Sequence, residues 1–105
     1  MWLECPYLGG QVELTGERQL HIARWHRAVV AVGLAVLANV LADPDVVGRR
    51  AYDRDELAFA RVFGAEHLVV VVRSERGARS VTLRHWVVTA YMTRSLDSWV
   101  VEWER

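Results

Sequence analysis

The chain has 105 residues, of which 52% are hydrophobic and 25% charged, a composition typical of one globular domain and not of a disordered segment. Thirteen basic residues, all of them arginine, balance thirteen acidic ones, and this zero net charge excludes the strongly basic class of nucleic-acid binders. The single cysteine, Cys5, excludes an internal disulfide and favours a reducing compartment, so we expect a cytoplasmic protein.

The N-terminal part of the chain predicts short strands followed by a first helix. Trp2–Cys5 and Gln11–Leu14 have the length and pattern of short strands. Thr15 fits an N-cap, and Glu17 in the first turn complements the helix dipole. We therefore expect a helix from about Gly16 to Arg27.

A second helix is expected over Ala28–Ala42, ended by Pro44, which cannot continue the hydrogen-bond ladder. Its 15 residues are fewer than the roughly 20 needed to cross a membrane. The segment therefore predicts a buried helix and no membrane partner. Residues 43–56 predict a polar loop or a single turn.

From Leu57 onward the pattern changes to strands. Leu57–Phe63, His67–Arg73 and Ser80–Thr93 are rich in β-branched and aromatic residues, with a turn at residues 64–66 and a hairpin loop at Ser74–Arg79. Residues 95–105 predict a last strand or a tail. The whole predicts one α+β domain over residues 1–105, with two N-terminal helices packed on one face of a C-terminal antiparallel sheet of three to five strands.

The longest predicted strand has two chemically different faces. Strict alternation places its even positions beneath the helices: Arg84, Trp86, Val88, Ala90 and Met92. The odd positions form a row that combines a histidine, a tyrosine and two threonines: His85, Val87, Thr89, Tyr91 and Thr93. Such a row is typical of a solvated outer face, and it also suits the binding of a polar substrate.

Charge is unevenly distributed between the two halves. Residues 47–96 contain nine arginines and five acids, whereas residues 1–46 contain three arginines and five acids. The C-terminal half is therefore locally positive, which permits a phosphate site in a chain that is neutral as a whole.

The chemistry-bearing residues favour phosphodiester cleavage without a metal. The sequence contains no zinc, phosphate-loop or dinucleotide motif, so we expect no metal and no cofactor. Cleavage of RNA through its own 2′-hydroxyl requires a base, an acid and cations near the phosphate, which histidine and arginine can supply. A lone histidine on a partly buried helix is nevertheless more often a structural hydrogen-bonding residue.

His21 and His26 lie five residues apart, which limits this interpretation. On one regular helix that spacing separates two side chains by roughly 140°. The two imidazoles converge only if the helix ends near residues 25–27. Arg24 shares the face of His21 more naturally, three residues further on.

Several segments together resemble a known nuclease superfamily. Leu14–His26 resembles an L-T-x-x-R-x-x-H-I-x-x-R-H helix, and Asp43–Val46 resembles the x-P-D-x-I segment that follows it. Leu68–Arg73 resembles an apolar central strand, and Val88–Thr93 a closing T-A-Y-x-T strand. In order and spacing, residues 12–94 are similar to the phage- and toxin-associated nuclease domains of the barnase/EndoU/colicin/RelE-like superfamily.

The resemblance implies a metal-independent endoribonuclease of toxin or effector type, with RNA as substrate and an antitoxin or immunity protein as a partner. Carried over, it implies catalytic roles for four residues: His21, His26, Thr89 and Tyr91. Substrate binding is expected from five more: Arg24, Arg61, Arg73, His85 and Thr93. Where the pattern has an arginine before its second histidine, this chain has Trp25. The alternative is a catalytically inactive interaction domain on the same fold, a homodimer among its forms, with Trp99 and Trp103 as anchors.

Overall fold

The computed structural model describes residues 1–76 and 83–105, and in these residues it has one seven-stranded sheet and three α-helices. The strands are β1 (Trp2–Cys5), β2 (Gly10–Glu13), β3 (Val46–Arg50), β4 (Asp53–Phe63), β5 (Glu66–Arg76), β6 (Leu83–Thr93) and β7 (Val100–Glu104). The helices are α1 (Gly16–Trp25), α2 (Arg27–Val32) and α3 (Leu34–Ala42), and a short 3₁₀ helix (Pro6–Leu8) joins β1 to β2.

The sheet is mixed and runs in the order β1-β2-β6-β5-β4-β3-β7. All neighbouring strands are antiparallel except β2 and β6, which are parallel and meet at the single pair Glu13 and Trp86. Beyond Trp86, the edge of β6 on that side has no strand neighbour among the described residues, and α1 and α2 contact β6 there. The helices therefore pack against the half of β6 that contains Thr89 and Tyr91.

The predicted fold class is wrong, although a small single α+β domain is correct. The structure has three helices where two were expected. The first helix, α1, ends at Trp25, and Gly33, with a φ of +84°, interrupts the apolar run. The sheet has seven strands and not three to five, since both N-terminal strands join it and the expected loop at residues 43–56 supplies β3 and the start of β4. It is mixed and not antiparallel because β2 joins it parallel to β6.

Other boundaries also differ from those expected. Thr15 is confirmed as the N-cap of α1, because its hydroxyl accepts a hydrogen bond of 3.2 Å from the backbone N–H of Arg18. The expected hairpin loop at Ser74–Arg79 begins later, since β5 continues to Arg76, and residues 77–79 lie outside the described residues. Residues 80–82 of the expected long strand also lie outside them. None of the helices in the described part of the chain is both long and apolar enough to cross a membrane.

The main core lies between the helices and one face of the sheet. Phe59 and Leu68 are completely buried there, against Ile22 of α1, Val29 of α2 and Val40 of α3. The sheet curves enough for Tyr7, beside β1, to donate a 2.8 Å hydrogen bond to Glu102 of the opposite edge strand β7. The helices thus cover a concave sheet face, and burial of this apolar area is the main stabilising contribution.

A β-bulge at Val88 corrects the expected alternation along β6. Thr89 pairs with Val71 and Val87 pairs with Val72, so Val88 is the extra residue. His85 and Val87 therefore face the helices, as Ala90 does, whereas Val88 and Tyr91 belong to the cluster on the other face. The predicted facing of the side chains is correct for the residues that follow the bulge and reversed for those that precede it.

Trp99 covers the second face of the sheet. Its side chain is 6% exposed and packs in a cluster with Ala58, Ala60 and Val71. The Arg50 guanidinium lies 4.1 Å from the centre of its ring. A Cβ at Gly48 would stand 2.9 Å from the Trp99 Cβ, so only glycine fits beneath this side chain.

We predict that Gly48→Ala lowers the free energy of unfolding by about 1–3 kcal/mol, because the added methyl overlaps the Trp99 side chain. Chemical denaturation measures this change. The matched control is Gly16→Ala, where an added Cβ meets no atom within 4 Å, and it is expected to change the free energy by about 0.5 kcal/mol or less. Equal stability of the two variants would contradict the packing described for Trp99.

Candidate functional site

His26 interrupts the helical run, and this interruption brings the two N-terminal histidines together. Its backbone, with φ −133° and ψ 67°, is not helical and separates α1 from α2. The ring centroids of His21 and His26 lie 6.1 Å apart with an interplanar angle of 61°. The condition set by their spacing, an end of the helix near residues 25–27, is met.

Tyr91 extends this pair toward the sheet. Its ring centroid lies 6.1 Å from that of His26, and its hydroxyl oxygen accepts a 3.0 Å hydrogen bond from the indole N–H of Trp99. Because the oxygen acts as acceptor in that bond, the hydroxyl proton is available to a further acceptor. His21, His26 and Tyr91 therefore form one continuous line of polar rings.

Arg18 anchors α1 to the strand that holds Tyr91. Its guanidinium donates a 3.4 Å hydrogen bond to the carbonyl of Val88, the bulge residue of β6. Arg18 lies three residues before His21 and so shares its helix face. Sequence reasoning missed both Arg18 and Trp99. The spacing of three residues between Arg18 and His21 could have indicated Arg18. No feature of the sequence indicates the hydrogen bond from Trp99 to Tyr91.

Thr89 lies next to this line of rings, with an unpartnered hydroxyl. It is two residues before Tyr91, and its Oγ1 is buried with no hydrogen-bond partner among the described residues. His67 Nδ1 shares that condition, and His67 pairs with Thr93 across β5 and β6. The Thr93 hydroxyl instead donates to the carbonyl of Ser95 at 2.9 Å, which orders the turn after β6.

Burial and the neighbouring His21 lower the pKa of His26. Partial burial, and next the positive charge that His21 carries when protonated, hold the pKa of His26 below its ordinary value of 6.5. His26 is therefore neutral at pH 7 and able to accept a proton.

The expected phosphate-binding arginines of the sheet do not reach this line. Arg61 lies on β4, where it makes an ion pair of 2.9 Å with Asp43. Arg73 lies on β5, opposite Trp86, and makes an ion pair of 2.6 Å with Asp53. Trp86 is five residues from Tyr91 along β6, or about 16 Å at strand geometry. The candidate site does not bring either arginine together with His21 and His26.

Ion pairing offsets much of the positive charge that the sequence places in the sheet half. Five arginines of the sheet half lie 2.6–2.9 Å from carboxylates: Arg49, Arg50, Arg61, Arg73 and Arg84. Arg24 and Arg27, beside the two histidines, are exposed and have no ion pair within the described part of the chain. Arg24 and Arg27 of the α1–α2 junction are therefore among the cations available to a phosphate, as are the exposed Arg54 and Arg94.

His85 lies in a different pocket from the other expected site residues. It is buried and shares a 2.6 Å hydrogen bond with Ser74 through its Nδ1, and burial lowers its pKa. The pocket around it has a volume of about 420 Å³ and is also lined by Tyr7, Arg49 and Glu102. Because the bulge reverses its facing, His85 is separated from Tyr91, which belongs to the cluster on the opposite face of the sheet.

In comparisons with known proteins, no family model, no curated protein and no solved structure matches this chain. Within residues 1–76 and 83–105, no three side chains of His, Cys, Asp or Glu are grouped as metal ligands would be.

We predict that His26 titrates below 6.5 in the folded protein, and that His21→Gln raises its pKa without restoring the ordinary value, because burial is the larger cause. NMR titration of the histidine ring protons measures both values. Because the unfolded chain binds this proton more tightly than the folded protein does, protonation of His26 favours unfolding. The contribution of His26 to the free energy of unfolding is therefore complete above pH 6.5 and is lost as the pH falls through the lower pKa of the folded state. An unchanged His26 pKa in the His21 variant would contradict the coupling.

Proposed function

We propose that the chain is a metal-independent endoribonuclease of toxin or effector type, whose catalytic pair is His21 and His26. The observation that carries this proposal is the edge-to-face contact of the two imidazoles, whose ring centroids lie 6.1 Å apart. The pair lies beside Tyr91 and near exposed arginines. Transesterification of RNA requires a general acid and a general base that can both reach one phosphate.

The role of His26 follows from its environment, and His21 takes the complementary role. His26, with its lowered pKa, is neutral and removes the proton of the 2′-hydroxyl. The 2′-oxygen attacks phosphorus, the bond to the 5′-oxygen breaks, and His21 donates a proton to that leaving oxygen. The products are a 2′,3′-cyclic phosphate and a 5′-hydroxyl. The nucleophile comes from the RNA itself, so this step consumes no water.

Arginine and hydroxyl groups near the pair support the same assignment. Arg24 lies three residues after His21 and is exposed, so its guanidinium can approach phosphate oxygens as charge develops on them. The Tyr91 hydroxyl has a proton to donate, and the buried Thr89 hydroxyl has no partner within the described residues. In this proposal Tyr91 positions the substrate next to the imidazoles, whereas the Thr89 hydroxyl is buried and does not contact it.

The resemblance to the barnase/EndoU/colicin/RelE-like superfamily supports this proposal independently. From the sequence alone it implicates His21, His26, Thr89 and Tyr91, and His26 lies in ring contact with both His21 and Tyr91. Arg61 and Arg73, which it also implicated, are left without a direct role in the step proposed here, as are His85 and Thr93 from the polar row of the long strand. An antitoxin or immunity protein remains part of the proposal as the partner of such an enzyme.

We predict cleavage of single-stranded RNA in EDTA, with rates about 100-fold or more lower in His21→Ala and His26→Ala, because acid–base catalysis typically contributes 10²–10⁴-fold. Gel analysis of a labelled RNA, with identification of a 2′,3′-cyclic phosphate end, measures this. His85→Asn is the matched control: it changes a histidine in a separate pocket and keeps a side chain that can bond Ser74. Intact RNA at high enzyme concentration, or equal losses in all three variants, would contradict the proposal.

A second candidate is a catalytically inactive interaction domain that forms a homodimer. Trp99, one of its expected anchors, is buried in the sheet and cannot serve. The observation that favours it is a groove of about 360 Å³ between the helices, bordered by exposed Leu20, Val30 and Leu34. If this function holds, light scattering after size exclusion gives twice the monomer mass, and Leu20→Glu restores the monomer; a monomeric wild type excludes it.

A further inference from the structure

We infer that Trp25 stacks an unpaired nucleobase beside the phosphate held at His21 and His26, which makes single-stranded RNA the substrate class. This inference rests on the proposed function and deepens it. Trp25 is the last residue of α1, directly before the interruption at His26. Its side chain is 66% exposed, although a tryptophan in a chain of this size ordinarily contributes its area to the core.

Trp25 lies on the same helix face as the candidate catalytic residues. It follows His21 by four residues and Arg18 by seven, the spacings that place side chains above one another on a helix. The apolar groove between the helices is lined by other positions of α1, among them Gln19, Leu20 and Ala23. The exposed indole therefore lies on the helix face of Arg18 and His21 and not in that groove.

The surroundings of the ring suit a nucleobase better than an apolar partner. The guanidinium of Arg24 lies 5.6 Å from the centre of the indole ring, and Arg27 follows within two residues. An aromatic ring bordered by cations binds the alternating stacked bases and phosphates of a single strand, because every base has a π-face and every linkage has a negative charge. A base within a duplex is already stacked on both sides and cannot use this ring.

Binding of a short fluorescein-labelled 2′-deoxy oligonucleotide, followed by anisotropy at low salt, tests the inference without any cleavage. This probe lacks the 2′-hydroxyl, so the proposed reaction cannot occur during the measurement. We expect Trp25→Ala to weaken binding about tenfold, Trp25→Phe to retain most of the affinity, and the same oligonucleotide in a duplex to bind more weakly than the single strand. Trp2→Ala is the matched control, since Trp2 is 57% exposed on the edge strand β1.

The outcomes separate this inference from the proposed function. Equal affinities for Trp25→Ala and Trp2→Ala would overturn the stacking role, as would equal binding of duplex and single strand or a Trp25→Phe variant as weak as the alanine. RNA cleavage that continues with an unchanged KM in Trp25→Ala would overturn the inference alone. Stacking-dependent binding without any RNA cleavage would overturn the catalytic proposal and leave Trp25 as a binding residue.

Discussion

The interruption of the helical run at His26 is the constraint on which the candidate site depends. A continuous helix through residues 16–32 would direct His21 and His26 to different faces, roughly 140° apart. The non-helical backbone of His26 ends α1 at Trp25 and turns the second imidazole back toward the first. The same interruption places His26 against Tyr91, so a single local departure from helical geometry joins the helical layer to the sheet at the site.

The bulge at Val88 is the corresponding feature of the sheet. It allows Thr89 and Tyr91 to lie away from the main core, while His85 and Val87 on the same strand face the helices. The carbonyl of Val88 accepts a hydrogen bond from Arg18, so the irregular residue of the strand also fixes the helix that contains His21. Two irregularities, one in a helix and one in a strand, thus meet at the line of polar rings.

Local signals in the sequence were sufficient for part of this structure. The Thr15 cap, most of the strands after Leu57 and the requirement for a helix end near His26 all depend on neighbouring residues. Strand β3, the parallel pairing of β2 with β6 and the position of Trp99 depend on contacts between distant segments, which periodicity cannot reveal. Charge counting could not show which cations are free, because carboxylates remote in sequence pair with Arg49 and Arg61 while Arg24 and Arg27 have no ion pair in the described residues.

In the proposed reaction, one phosphate group contacts both imidazoles at the α1–α2 junction. A crystal structure of the chain soaked with a ribonucleoside 2′,3′-cyclic phosphate tests it most directly, because this compound is the product of the proposed reaction. We expect phosphate oxygens within hydrogen-bond distance of both His21 and His26. Phosphate bound instead at the sheet arginines, or two histidine rings that point away from each other, would contradict it.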